Sequence, residues 1–136
     1  MDLFKSIAVA ASGLRSQSGR MRVIAENLAN ADSGPERAGA EPYRRKIPTF
    51  QRHMDRELDA QVVDLGRVQR DQAPFRTKFD PGHPAANAAG QVQMPNVNSL
   101  VETMDMREAQ RSYEANLNLI TSTRRMIQRT IDILRA

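Results

Sequence analysis

Few residues in this chain could do chemistry, and the nearest approach to a reactive group is Phe79-Asp80-Pro81-Gly82-His83-Pro84, where a carboxylate and an imidazole stand three positions apart. Such a pair could begin a metal site or an acid–base couple. The other histidine, His53, brings no further ligands at plausible spacing. Pro81, Gly82 and Pro84 instead suit a turn in which Asp80 bonds neighbouring amides. The hexapeptide is therefore read as structural, with no metal ligand and no catalytic group in it. No GxxxxGK, GxGxxG, HExxH or GxSxG pattern occurs, so phosphate-loop, dinucleotide, zinc-protease and serine-hydrolase chemistry have no visible apparatus. The absence of cysteine excludes disulfides, thiolate metal sites and cysteine nucleophiles. The reading is of a chain that is not an enzyme, with no cofactor and no small-molecule substrate.

Charge is the next feature that could specify a partner. Twenty Lys and Arg against sixteen Asp and Glu give a net charge of +4 and a pI near 10.1, which permits an acidic partner without requiring one. Arg44-Arg45-Lys46 is the densest basic run. Asp55, Glu57 and Asp59 follow it closely, so a solvated loop is preferred there to a nucleic-acid or lipid contact. Arg111, Arg124, Arg125 and Arg129 share the last third of the chain with Glu102, Asp105, Glu108 and Glu114, and aromatic residues for base stacking are scarce. These charges read as the flanks of a coiled-coil seam, with no nucleic acid as partner.

Both ends of the chain carry helical periodicity. From Ser99 to Ala136 there is neither Pro nor Gly, and Ser99 with Glu102 has the spacing of a capping box. Tyr113, Leu117, Ile120, Ile127, Ile131 and Leu134 recur at alternating steps of four and three, with Arg124 in the one polar slot, and Leu119, Met126 and Ile133 form a second row. A stripe that wide expects neighbours on more than one side. Near the N-terminus, Asp2 is placed as an N-cap, and Ile7, Leu14, Met21 and Leu28 share a similar seam out to about Asn30. Gly13 and Gly19 each cost that helix about 1 kcal/mol relative to Ala. Asn30-Ala31-Asp32-Ser33-Gly34-Pro35 then stops it.

Between the helices the signals are weaker. Residues 33–44 read as a loop, and Arg44 to Phe50, broken by Pro48, as an edge strand at best. Val62, Val63, Leu65 and Val68, then Phe75 and Phe79, suggest two short strands, with Gln91 to Met94 as a third. The predicted fold is mainly α: long N- and C-terminal amphipathic helices pairing as a coiled coil, with a small β-containing central insert. The predicted segments are 1–31, 32–98 and 99–136. A hydrophobic share of 40%, an aromatic share of 4% and a mean hydropathy of −0.58 are lean for a large core. Met1-Asp2-Leu3-Phe4-Lys5 does not have the form of a secretory signal, and no apolar run reaches membrane-spanning length. Any departure from the cytoplasm would use a route without a cleaved signal.

Several short motifs in order resemble one family. Ser12-Gly13-Leu14 and Asn27-Leu28-Ala29-Asn30 lie in the first helix, and Arg111-Ser112-Tyr113-Glu114-Ala115-Asn116 in the last. Asp80-Pro81-Gly82-His83-Pro84 and Met94-Pro95-Asn96-Val97-Asn98 lie between them. Together they resemble the rod, hook and hook-associated axial family of the bacterial flagellum, and within it the basal-body subunits of the proximal rod. The chain departs from the family pattern after Asn30, where Asp32-Ser33-Gly34-Pro35 replaces the usual Thr-Pro-Gly-Tyr and the next tyrosine is Tyr43. The resemblance implies a structural subunit of the rod that crosses the periplasm and passes motor torque to the hook. It further implies export through the flagellar type III apparatus, and as partners copies of itself, other rod proteins and membrane-ring junction proteins. The helices alone leave another reading open, a cytoplasmic coiled-coil adaptor or export chaperone, which would form a closed dimer rather than an open polymer.

Overall fold

The computed structural model describes residues 2–136. Two long helices, α1 at Leu3–Ala29 and α2 at Ser99–Arg135, enclose six short strands in sequence: β1 Lys46–Ile47, β2 Phe50–Asp55, β3 Ala60–Leu65, β4 Gln69–Arg70, β5 Arg76–Phe79 and β6 Gln91–Met94. The strands make three separate two-stranded antiparallel sheets, β1 with β4, β2 with β3 and β5 with β6. The expected central β element is thus three separate antiparallel pairs, with β2 and β3 lying between β1 and β4 in sequence; Val68 lies outside β3 and Phe75 outside β5.

Local chemistry explains the helix ends. Asp2 Oδ1 accepts from the amides of Phe4 at 3.0 Å and Lys5 at 3.4 Å, an N-cap that satisfies two otherwise orphaned donors. At the other end of α1 the Asn30 amide N–H and side-chain Nδ2 both donate to the Glu26 carbonyl, and Pro35 follows. The start of α2 differs from expectation. Asn98, not Ser99, is the cap, its Oδ1 accepting from Leu100 at 3.0 Å and Val101 at 3.4 Å. Glu102 does not fold back to complete a capping box, because its carboxylate is turned inward and buried.

The chain forms two compact units, each containing part of both helices. In the first, built on α1 up to Met21, residues 48–67 and residues 107–136, the β2–β3 hairpin pairs Phe50 with Leu65 and Asp55 with Ala60. Its turn is closed by Asp55 Oδ1, which accepts from Glu57 and Leu58, and Asp59 adopts a left-handed φ of 48°. Two serines of α1 complete the hydrogen bonding of Val63. Ser12 Oγ accepts from the Val63 amide at 3.2 Å, and Ser16 Oγ donates to the Val63 carbonyl at 2.9 Å. Gly19 allows the approach of Leu65, whose Cδ2 would stand 2.8 Å from a Cβ at that position. Glycine's helix cost is offset here by close packing.

The second unit comprises residues 22–47 and 68–106. Val23, Ile24, Ala31, Val92, Pro95 and Val97 are buried in it. Arg76 ties its chain ends together, donating through Nε to the Pro95 carbonyl at 2.9 Å and through an Nη to the Ala31 carbonyl at 3.0 Å. In the Asp80–His83 turn the His83 amide donates to the Asp80 carbonyl, and His83 Nδ1 accepts from the Ala85 amide at 3.0 Å.

Candidate functional site

Asn27 is fully buried on α1, and the strand entry Tyr43 to Lys46 is built around it. Its amide behaves like a piece of β-ladder: Oδ1 accepts from the Lys46 amide at 2.9 Å while Nδ2 donates to the Lys46 carbonyl at 2.8 Å. The remaining capacity is filled as well, Oδ1 accepting from the Tyr43 hydroxyl at 2.9 Å and Nδ2 donating to Glu102 Oε2 at 3.0 Å. A carboxamide, with two N–H donors beside an oxygen that accepts twice, satisfies all four of these bonds at once.

Glu102 would be costly to bury alone. Its other carboxylate oxygen accepts from Arg45 Nε, in a pair whose side chains are 1% and 21% exposed. Arg45 also meets Asp71 Oδ2 at 3.4 Å and Asp105 Oδ2 at 3.7 Å. Burial alone would lower the Arg45 pKa, but its hydrogen bond to Glu102 and that carboxylate's charge, with Asp71 adding to both, raise it on balance. Burial pushes the Tyr43 hydroxyl up to about 12, assisted by the negative charges of Glu26 and Glu102. Asn96 holds the strand from another direction, accepting from the Arg45 amide at 2.8 Å and donating to the carbonyls of Asp71 and Ala73.

The basic triplet is therefore not the solvated loop that its sequence suggests. Arg44 lies 4.2 Å from the centroid of Phe75 and donates to the Asp71 carbonyl, Arg45 is held by carboxylates, and Lys46 pairs with Glu26. Acids within the same unit neutralise Arg45 and Lys46, while the Arg44 guanidinium rests on an aromatic ring and backbone carbonyls. Reading the sequence missed Glu102, Tyr43 and Arg45. One signal was available: Glu102, Ala109, Asn116 and Thr123 recur at intervals of seven, a small or polar row that runs beside the apolar one, and Glu102, Ala109 and Thr123 are buried.

One pair of motif residues meets, and others meet residues outside the motifs. Gly13 and Asn116 are in close approach, with Asn116 Oδ1 at 2.9 Å from where a Gly13 Cβ would stand. Ser12 reaches Val63, Asn27 reaches Glu102, and Asn96 reaches Arg45. Arg111 is exposed, while Ser112 is half-buried and its carbonyl accepts from Asn116 Nδ2. Of the predicted seam, Ile7, Leu14, Met21, Leu28, Tyr113, Ile120 and Ile127 are half-buried, whereas Leu117, Ile131 and Leu134 are exposed. The most buried face of α1 is instead the adjoining one, carrying Ala10, Ser16, Val23, Ile24 and Asn27. Along α2 the row Leu119, Met126 and Ile133 is 48%, 48% and 75% exposed.

This chain has an arrangement suited to holding secondary structure and presenting surface, and the comparisons with known proteins agree. Residues 7–35 match the family described as flagella basal body rod protein, and residues 88–133 match the flagellar basal body rod FlgEFG protein C-terminal family. The flagellar basal-body rod protein FlgC of Agrobacterium fabrum is 48% identical over 94% of this chain and 92% of its own length. The chain belongs to the FlgC family of flagellar basal-body rod proteins. The FlgC proteins of Yersinia enterocolitica, 37% identical over 98% of both chains, and Aquifex aeolicus, 35% identical over 97% of both, support the same membership. This family is structural rather than enzymatic, and the chain is a structural subunit of the basal-body rod. The two matched segments hold residues just described: Ser12, Gly13 and Asn27 in one, Asn96, Glu102 and Asn116 in the other.

Proposed function

We propose that this FlgC-family chain builds the proximal rod as an open helical tube, its two terminal helices pairing antiparallel as a coiled coil and its remaining apolar rows docking on neighbouring subunits. The observation that carries the reading is the exposed row Leu119, Met126 and Ile133, which repeats at seven residues as a helix seam does. Two intramolecular approaches support the pairing, Asn27 with Glu102 and Gly13 with Asn116. Gly13 precedes Asn27 by fourteen residues and Asn116 follows Glu102 by fourteen, two heptads on each helix.

A heterologous interface that does not close generates a filament, and many parallel seams resist twisting together. Such a tube would transmit motor torque to the hook. Its partners are copies of this chain, other rod proteins and the membrane-ring junction below them. The subunit is made in the cytoplasm, passes through the flagellar type III apparatus and assembles in the periplasm. No helix among the described residues is long and apolar enough to cross a membrane.

Ile133→Asp tests the docking. The side chain is largely exposed in the subunit, so folding stability should change by less than about 0.5 kcal/mol. In the rod the same change removes about 1.5–3 kcal/mol of burial per subunit and places a carboxylate in a dry seam. Cells expressing the variant should export the subunit yet lack completed rods and motility. Normal swimming would show that the row does not dock, and a stable closed dimer of the purified wild type would favour the adaptor or chaperone reading.

A further inference from the structure

The inner row of α2 is nearly blank to a sliding partner. Ala109 and Thr123 are buried, small and spaced seven residues on either side of Asn116, the residue that Gly13 approaches. A displacement of α1 by one heptad would bring Gly13 opposite Ala109 or Thr123, and neither is large enough to oppose it. Repeating rows of small residues therefore leave the axial register of two paired helices close to degenerate.

Asn27 and Glu102 break that degeneracy. After a slip in one direction Asn27 would face Ala109, which offers no side-chain polar atom. In the other it would run past the start of α2 at Ser99, and Glu102 would leave the amide that it accepts from. Either slip also detaches Glu102 from Arg45, or Asn27 from the Lys46 backbone to which it is bonded twice. A buried polar group that is satisfied in only one alignment selects that alignment, even where an apolar pair would be equally stable. We propose that the Asn27–Glu102 contact is the register pin of this subunit: it sets which residues of α1 and α2 face each other, and thereby which apolar rows are presented to neighbours. α1 and α2 are each unbroken along their lengths.

The inference rests on the helix pairing proposed above, and disulfide trapping separates the two. The chain has no cysteine of its own, so paired substitutions report alone. In the full-length protein, Gly13→Cys with Asn116→Cys should cross-link readily on mild oxidation, and Gly13→Cys with either Ala109→Cys or Thr123→Cys should not. Failure of the first pair would overturn the helix pairing itself. With Asn27→Leu and Glu102→Leu added, the 13–116 cross-link should fall several-fold and a 13–109 or 13–123 cross-link should appear. Asn27→Ala is run in parallel, with helicity followed by circular dichroism. A persistent and exclusive 13–116 cross-link in a helical variant would overturn the pin. So would loss of helicity in both variants, which would make the network a requirement for folding rather than a selector of register.

Discussion

Gly13 lies directly against Asn116: a Cβ on the glycine would stand 2.9 Å from Oδ1 and 3.0 Å from Cγ of the asparagine. Asn116 is held in place by its own bond from Nδ2 to the Ser112 carbonyl at 2.9 Å. A glycine that weakens its helix is thus tied to one side chain of the other helix.

Gly13→Ala should therefore help only where Asn116 is absent. In the wild-type background the helix-propensity gain of about 1 kcal/mol is cancelled, because Asn116 must leave its rotamer and lose a hydrogen bond worth about 1 kcal/mol. In an Asn116→Ala background the gain should appear in full. Urea unfolding of the four proteins measures the coupling. Equal effects of Gly13→Ala in both backgrounds would refute the contact.

Asn27→Ala should lower stability by about 3 kcal/mol, since it leaves buried groups of Lys46, Tyr43 and Glu102 without their partner. Asn27→Asp should also destabilise, because a carboxylate cannot donate to Glu102 or to the Lys46 carbonyl. Urea midpoints decide it. A change within about 0.5 kcal/mol for either variant, the size expected of an ordinary surface substitution, would mean that the network is dispensable.

Tyr43 makes stability depend on pH in the alkaline range. Its hydroxyl titrates near 10 when unfolded and at about 12 in the folded chain, so the folded state holds the proton more tightly. Stability is then complete below about pH 10 and is lost as pH rises towards 12, where the unfolded chain has released the proton. Tyr43→Phe should remove that component of the decline. Denaturant midpoints measured from pH 9 to 12 would show it, and parallel curves for the two proteins would contradict it.

Ser16→Ala should cost about 1 kcal/mol and act locally, because the Val63 carbonyl loses its donor. Amide exchange should quicken in the β2–β3 hairpin while the Tyr43–Lys46 segment keeps its protection. Uniform acceleration through both segments would show that Ser16 acts on global stability instead.

The sequence by itself determined the two helices, their extents to within a residue or so, the Asp2 cap, the stop at Asn30 and the family motifs. Each depends on neighbours a few positions away, where backbone geometry and periodicity act directly. Only the tertiary structure decided what Glu102, Arg45 and Asn27 do. Glu102 has the spacing of a helix cap and Arg45 sits in a basic run, and both look like surface residues until chain segments far apart in sequence converge. A charge is buried when its partners arrive with it, and those partners, Asn27 and Arg45 for Glu102, Asp71 and Asp105 for Arg45, are set by folding across many residues rather than by local spacing. For the same reason Gly13 and Gly19 read as weak points in the helix, whereas in the fold they are where Asn116 and Leu65 come closest to it.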